Sequence, residues 1–222
     1  MCFSPEASFT ASAVITTIGV ISLKRATDNP SKFLAYIPIF FGIQQFAEGF
    51  VWLSLLYDSF AHFRGMSTAG FIFFAWVVWP FWIPFAMGKI EQDVARKRIL
   101  NVFKYIGVLV SLLLAYVVVF ENVNSEILDW SIIYNFDVSD GLHKAFGLLY
   151  LSITVIPTLI SKVPKVWLLG VMNVLAYAGT KIFINERILS IWCFFAAITS
   201  VIVLWIIEDY NKRKAIENKI QA

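Results

Sequence analysis

The sequence predicts an all-α polytopic membrane protein: a seven-transmembrane-helix bundle with its N-terminus outside and its C-terminus inside the cell. Composition, the length of the apolar runs and the distribution of positive charge each support this fold class. Hydrophobic residues make up 59% of the 222 residues and charged residues 15%, whereas soluble domains average about 45–50% and about 25%. This composition excludes a disordered chain, a fibrous protein, a disulfide-rich scaffold and an ordinary cytosolic enzyme.

Seven apolar runs are each long enough to cross a bilayer. A helix needs about 20 mostly apolar residues to span a hydrocarbon core of about 30 Å. The runs are continuous and do not alternate between apolar and polar residues, which favours helices over a transmembrane β-barrel. Residues 1–210 would then form one transmembrane domain, and 211–222 a short basic cytoplasmic tail. The predicted spans are 6–23, 33–57, 69–88, 99–120, 141–161, 165–184 and 188–210.

Positive charge sets the orientation, because Lys and Arg are enriched in cytoplasmic loops. With seven spans, 14 of the 18 Lys and Arg residues fall on one side, and this asymmetry places the C-terminus inside. The four on the other side are Arg64, Lys144, Lys181 and Arg187. The 14 are Lys24, Arg25, Lys32, Lys89, Arg96, Lys97, Arg98, Lys104, Lys162, Lys165, Lys212, Arg213, Lys214 and Lys219.

Local signals define several helix ends and connections. Ser4 can cap the first span, with Pro5 in its first turn. Two prolines should bend the third span, because each removes a backbone donor. The predicted outer loop 58–68 contains His62, which is expected to be solvated. The longest outer connection, 121–140, has five acidic residues and no Lys or Arg. It is either a solvated loop, or a lid or cation-attracting vestibule.

Glu48 is the only acidic residue deep inside a predicted span. It lies nine residues before Tyr57, and therefore about 13 Å below the outer end at 1.5 Å per residue. A charge at that depth costs at least a few kcal/mol, so the side chain must face the bundle interior, be paired or be protonated. Gln44, Glu48 and Trp52 share one helical stripe, with Gln45 beside them. Glu48 either links helices, or acts as a proton carrier, ligand contact, metal ligand or general acid or base.

Other polar residues fall at compatible depths. Asn173 lies near the middle of the sixth span, and Tyr177 follows one turn farther out on the same face. Asp140 and His143 are three residues apart at the outer start of the fifth span, so they share a face and could form an outer gate. With Cys2 at the outer mouth, these residues predict an outward-opening pocket that has Glu48 at its floor.

Signatures of catalysis and of cofactors are sparse. The catalytic candidates are Glu48 or His143 as a general base and Cys2 as a nucleophile, since removal of Met1 would give Cys2 a free amine. Zinc bound by Glu48, Asp140, His143 and a cysteine is an alternative. However, HExxH and CxxC motifs are absent, and we predict no metal and no cofactor.

Two further ligand classes are excluded. The seventh span contains no lysine between Arg187 and Lys212, which excludes a retinal Schiff base. The basic segments are explained by topology, so nucleic acid is not an expected partner, whereas membrane lipids are.

Roughly the first 55 residues carry a family likeness. The segments Met1–Ser4, Ala7–Phe9, Phe41–Gly49 and Val51–Trp52 resemble a family of uncharacterised prokaryotic multi-span membrane proteins whose members begin Met-Cys-Phe-Ser. The resemblance implies a multi-pass protein of the plasma (inner) membrane of a bacterium or archaeon. It implies no particular reaction.

Three functions therefore stay open. The leading expectation is an outward-opening polar pocket that binds or translocates a small polar or amphipathic molecule, or protons. The alternative is an intramembrane hydrolase or transferase that depends on a metal or a thiol. The third is a structural or assembly subunit in which Glu48 only fixes helix register. In the first, ligand contacts would come from Glu48, Gln44, Gln45, Trp52, Asp140, His143, Asn173 and Tyr177.

Overall fold

The computed structural model describes residues 4–120, 123–128, 131–135, 140–184 and 188–221, without the side chains of 140–144, 180–184, 188–193 and 221. Within these ranges the chain forms seven helices and one two-stranded antiparallel hairpin. The helices are α1 (Pro5–Arg25), α2 (Asn29–Leu56), α3 (Asp58–Ile90), α4 (Val94–Phe120), α5 (Asp140–Ile160), α6 (Trp167–Ile184) and α7 (Ile188–Gln221). The strands are β1 (Asn124–Leu128) and β2 (Ser131–Asn135).

The predicted all-α class is confirmed, and the chain is a helical membrane protein. Five described segments are long and apolar enough to cross a membrane, and they belong to α1, α2, α3, α4 and α7. In α5 and α6 the shorter apolar segments Ala145–Ile160 and Trp167–Gly179 were identified within the described residues. Helices α5 and α6 pack against each other, as do α6 and α7, in agreement with the short connections between them.

The first two helices begin at side-chain caps. The Ser4 hydroxyl accepts a hydrogen bond from the Ala7 amide at 3.2 Å, as its position in the sequence predicted. Helix α2 begins four residues earlier than predicted. There, Asp28 and Ser31 form a capping box, and Pro30 lies in the first turn, where a missing amide hydrogen costs nothing.

The prediction of a loop at 58–68 is wrong, because α3 begins immediately after α2. It starts with a 3₁₀ turn at Asp58–Phe63, in which the His62 side chain is exposed as expected. Arg64 then donates a hydrogen bond to the Ser54 carbonyl oxygen at 3.0 Å and so ties the two helices together. The tight turn removes the need for a longer connection.

A π-helical segment, Phe73–Val78, interrupts α3 just before Pro80. Proline cannot donate to the preceding turn, and a widened turn leaves further carbonyl groups to be satisfied. Neighbouring helices supply the donors: the Tyr150 hydroxyl bonds to the Ala75 carbonyl at 2.7 Å, and the Ser111 hydroxyl to the Val77 carbonyl at 2.7 Å. The predicted distortion of this helix is therefore stabilised from α4 and α5.

The hairpin overturns the solvated-loop interpretation for its two strands. Ser125 pairs with Tyr134 across the strands. Ile132 and Tyr134 are buried together with Val51, Trp52 and Phe71, which belong to α2 and α3. Alternation along β2 explains this burial, because residues two apart point to the same face of a strand. The hairpin thus covers one end of α2 and α3, here called the hairpin end.

Ion pairs join the connections at the opposite end, here called the ion-pair end. It comprises residues 25–29, 91–94, 161–166 and 208–214, so the predicted basic tail continues α7 as a helix. The pairs are Arg25–Glu208 (2.6 Å), Lys214–Asp28 (2.6 Å), Lys162–Asp93 (2.7 Å) and Lys165–Asp209 (2.7 Å).

Glu91 is a buried carboxylate at the ion-pair end that the sequence did not indicate. It is 3% exposed and accepts hydrogen bonds from the Ser161 hydroxyl (2.9 Å) and the Lys162 amide (2.7 Å). Burial acts to raise the pKa of Glu91, but hydrogen bonds led by those of the Asp93 and Lys162 amides outweigh it and lower the pKa below the usual value. Glu91 thereby joins the α3–α4 connection to the α5–α6 connection.

Asp28 predicts a pH-dependent contribution to stability. Burial acts to raise its pKa, but hydrogen bonds from Lys214, Ser31 and Tyr210 outweigh it and lower the pKa to about 2. Since the unfolded value is about 3.9, the ionised form stabilises the fold above about pH 4 and this stabilisation is lost as the pH falls toward 2. After allowance for solvent screening, Asp28→Asn should cost about 1–2 kcal/mol at neutral pH.

The measurement is thermal unfolding in detergent across this pH range. Asp58→Asn, at an exposed position, serves as the control. A deficit in Asp28→Asn that stays constant down to about pH 2 would contradict the assignment.

Candidate functional site

Glu48 lies in the bundle interior, as its depth in the apolar run predicted. Its side chain is 0% exposed, and Oε2 accepts a hydrogen bond from Gln45 Nε2 at 3.0 Å. Ile43 and Phe46, on the other side of this part of α2, are exposed. The helix therefore turns its polar residues inward, because lipid offers no hydrogen bonds to a carboxyl group.

Gln44 has a different partner from the one its stripe suggested. Its Oε1 accepts a hydrogen bond from Trp79 Nε1 of α3 at 3.0 Å, and both side chains are buried. The Trp79 ring also packs on Phe41, with 4.2 Å between ring centroids. Gln45 therefore holds Glu48 within α2, and Gln44 joins α2 to α3.

The hairpin covers the turn of α2 that follows Glu48. Tyr134 and Trp52 belong to the same buried cluster, and the Tyr134 ring stacks on Phe71 at 4.9 Å with the ring planes 16° apart. The hydroxyl groups of Thr68 and Ser125 are hydrogen-bonded at 2.9 Å. Ring stacking and this hydroxyl pair thus hold the hairpin against α3.

Tyr134 lies close enough to Glu48 for the two groups to interact electrostatically. Burial raises the pKa of the Tyr134 hydroxyl well above its ordinary value, and a carboxylate at Glu48 raises it further. The phenol therefore stays neutral and keeps its proton. A neutral phenol can both donate and accept a hydrogen bond.

Asn173 lies beside a small cavity of about 20 Å³. Trp79, Tyr150, Thr154 and Thr199 share the lining of this cavity with Asn173 and with apolar residues, and Glu48 is not among them. A cavity of this size holds about one water molecule. The Trp79 indole, which lines this cavity, is bound to Gln44 of α2, and the convergence of Asn173 on Glu48 stays a prediction.

The other predicted site residues divide into two groups. Trp52 is buried beside the hairpin, and Tyr177 is half-buried one turn after Asn173 on α6. Cys2 and the side chains of Asp140 and His143 lie outside the described residues, so the proposed nucleophile and outer gate stay predictions. Among the residues that the structure does describe, no group of three or more His, Cys, Asp or Glu side chains could hold a metal ion.

Sequence reasoning missed Tyr134 and Trp79. A signal for Tyr134 was present, since β-branched and aromatic residues in 131–135 are typical of a strand. The acidic residues around this segment favoured a loop instead. For Trp79 there is no such signal, because a sequence does not show that an indole on α3 lies opposite Gln44 on α2.

A double-mutant cycle tests the contact between hairpin and α3. Thr68→Val and Ser125→Ala should each lower stability by about 1–3 kcal/mol, because each leaves one buried hydroxyl unsatisfied. The double variant should lose less than the sum, with a coupling of about 1 kcal/mol in detergent unfolding. As a control, the exposed Thr17→Val combined with Ser125→Ala should be additive. Additive losses at Thr68 and Ser125 would contradict the contact.

Comparison with known proteins assigns a family. No curated protein and no solved structure matches the chain. Residues 1–219 match a family of unknown function, DUF6629. This match extends beyond the N-terminal segments that first indicated an uncharacterised family. The chain therefore belongs to DUF6629, a family whose function is unknown.

Proposed function

We propose that this protein binds and translocates protons across a membrane and that Glu48 is the group that takes up and releases them. The observation that carries the proposal is the complete burial of this carboxyl group inside an apolar helix. Ionisable groups in this position are costly, and they mark proton relays and ion pathways in membrane proteins. Gln45 fixes the orientation of the carboxyl, and the hairpin covers the turn of α2 beside it.

The small size of the cavity beside Asn173 supports protons over a larger solute at this place in the bundle. With about 20 Å³, the space beside Asn173 accommodates about one water molecule. To occupy this cavity, an amphipathic molecule would need the helices that line it to separate. Proton transfer needs only hydrogen-bonded groups and small rotations, which a closed bundle permits.

Polar groups continue from Glu48 toward the ion-pair end. Gln44 lies one turn before Glu48 on α2 and binds the Trp79 indole, whose ring lines the cavity. Thr154, Thr199 and Asn173 are polar residues that line the same cavity. A proton that leaves Glu48 in this direction would thus find hydrogen-bonding groups beyond the apolar barrier of α2, after a rotation of the Trp79 ring.

We further propose that the chain spans the membrane seven times, with the hairpin end outside and the ion-pair end in the cytoplasm of a prokaryotic cell. The residue ranges of the ion-pair end and their flanks carry most of the Lys and Arg residues, which supports this orientation.

Cysteine labelling tests the topology. In a background with Cys2 and Cys193 replaced by serine, an impermeant maleimide should label the exposed Ser59→Cys in intact cells. It should label the exposed Gln92→Cys only after permeabilisation. The reverse pattern would overturn the orientation.

Glu48→Gln tests the proposed function. Gln keeps the size of the side chain and can still bond to Gln45, but it cannot carry a proton. In vesicles that contain a pH-sensitive dye, wild-type protein should carry a potential-driven proton flux above that of protein-free vesicles. Glu48→Gln should reduce this flux to the protein-free background.

The matched control is Glu126→Gln, which removes an exposed carboxylate from the outer face of the hairpin. This variant should keep the wild-type flux, and both variants should unfold near the wild-type temperature. Equal fluxes for Glu48→Gln and wild type, or a wild-type flux no higher than the background, would reject the proposal.

A further inference from the structure

The hydroxyl of Tyr134 is the most unusual polar group on the hairpin. The side chain is 8% exposed, yet its hydroxyl forms no hydrogen bond with any residue within the described ranges. Buried hydroxyl groups nearly always have a partner, and each exception calls for an explanation. Structural packing does not supply one, since a phenylalanine would fill the same place without an unsatisfied oxygen.

The ring of Tyr134 is held firmly although its hydroxyl is not. Phe71 stacks on the ring, and Ser125, the cross-strand partner of Tyr134, is hydrogen-bonded to Thr68. Thr68 and Phe71 are three residues apart on α3, so one face of that helix holds both strands. These contacts fix the position at which the hydroxyl is presented.

The Tyr134 side chain lies beside the part of α2 that follows Glu48. Tyr134 belongs to the same buried cluster as Val51 and Trp52, which follow Glu48 by three and four residues and therefore lie on its side of the helix. A carboxylate at Glu48 also lies close enough to raise the pKa of the Tyr134 hydroxyl. A neutral phenol at this point can bind a small donor or acceptor that approaches the carboxyl group.

We infer that Tyr134 forms the hairpin side of the proton site, where its hydroxyl binds the water or hydronium that exchanges a proton with Glu48. This inference rests on the proposed function. In the transfer, an O–H bond of the bound hydronium breaks and an O–H bond forms at the Glu48 carboxylate, which leaves water and a neutral carboxylic acid. Tyr134 keeps its own proton throughout, and release is the reverse of this step.

The test is Tyr134→Phe, measured in the same vesicles as Glu48→Gln. Loss of one hydrogen bond to the transferred group should lower the proton flux about tenfold. The unfolding temperature should stay the same or rise, because the variant removes an unsatisfied buried oxygen and keeps the stack on Phe71. A merely structural tyrosine would instead lose stability. Tyr116→Phe, at a position 60% exposed on α4, is the matched control and should change neither quantity.

The outcomes separate the two proposals. If Glu48→Gln loses its flux while Tyr134→Phe keeps the wild-type flux, the inference about Tyr134 is overturned and the proposed function stands. If Tyr134→Phe loses flux together with a lower unfolding temperature, the hydroxyl is structural and the inference is again overturned. If Glu48→Gln itself keeps the wild-type flux, the proposed function fails and the role of Tyr134 fails with it.

Discussion

A carboxyl group withdrawn from water constrains everything that packs around Glu48. Lipid tails and apolar side chains cannot hydrogen-bond to it, so polar partners must come from the protein itself. Gln45 provides one from within the same helix. Helix α1 approaches α2 closely enough for Ser12 to donate to the Gly42 carbonyl at 2.8 Å, which closes another side of α2 to lipid. The hairpin packs with Val51 and Trp52, so α1 and the hairpin contact α2 on the two sides of Glu48 along the helix.

The lack of hydrogen-bonding partners in lipid also explains several contacts of the backbone. Apolar burial drives helix association only weakly in a membrane, because lipid is as apolar as the side chains. Specific hydrogen bonds and close packing then decide which helices meet. Tyr150 and Ser111 donate hydrogen bonds to carbonyl groups that the π-helical segment of α3 leaves available, and Glu91 accepts hydrogen bonds from the Ser161 hydroxyl and the Lys162 amide of the α5–α6 connection. Each of these contacts joins elements that are distant in sequence.

The sequence predicted what depends on one helix at a time. Apolar length predicted the helices, the Ser4 cap predicted the start of α1, and depth predicted the inward side of Glu48. Contacts between helices could not be predicted, because hydropathy does not show which helices are neighbours or how each is rotated about its axis. Gln44 therefore binds Trp79 on α3, and Asn173 lines a cavity whose lining does not include Glu48. Tyr134 was missed because acidic neighbours concealed a short strand.

The π-helical segment lies between two parts of α3 that have different surroundings. Phe71 and Ala75 pack beneath the hairpin, whereas Trp79 and Ile83 line the cavity. Each residue of a helix turns the chain by about 100°. A π-helical turn holds more residues than an α-helical turn, so Phe73–Val78 can lose one residue and return to regular winding with little rotation of Trp79. A deletion in a regularly wound part of α3 would instead turn the residues beyond it away from their partners, although every remaining side chain kept its chemistry.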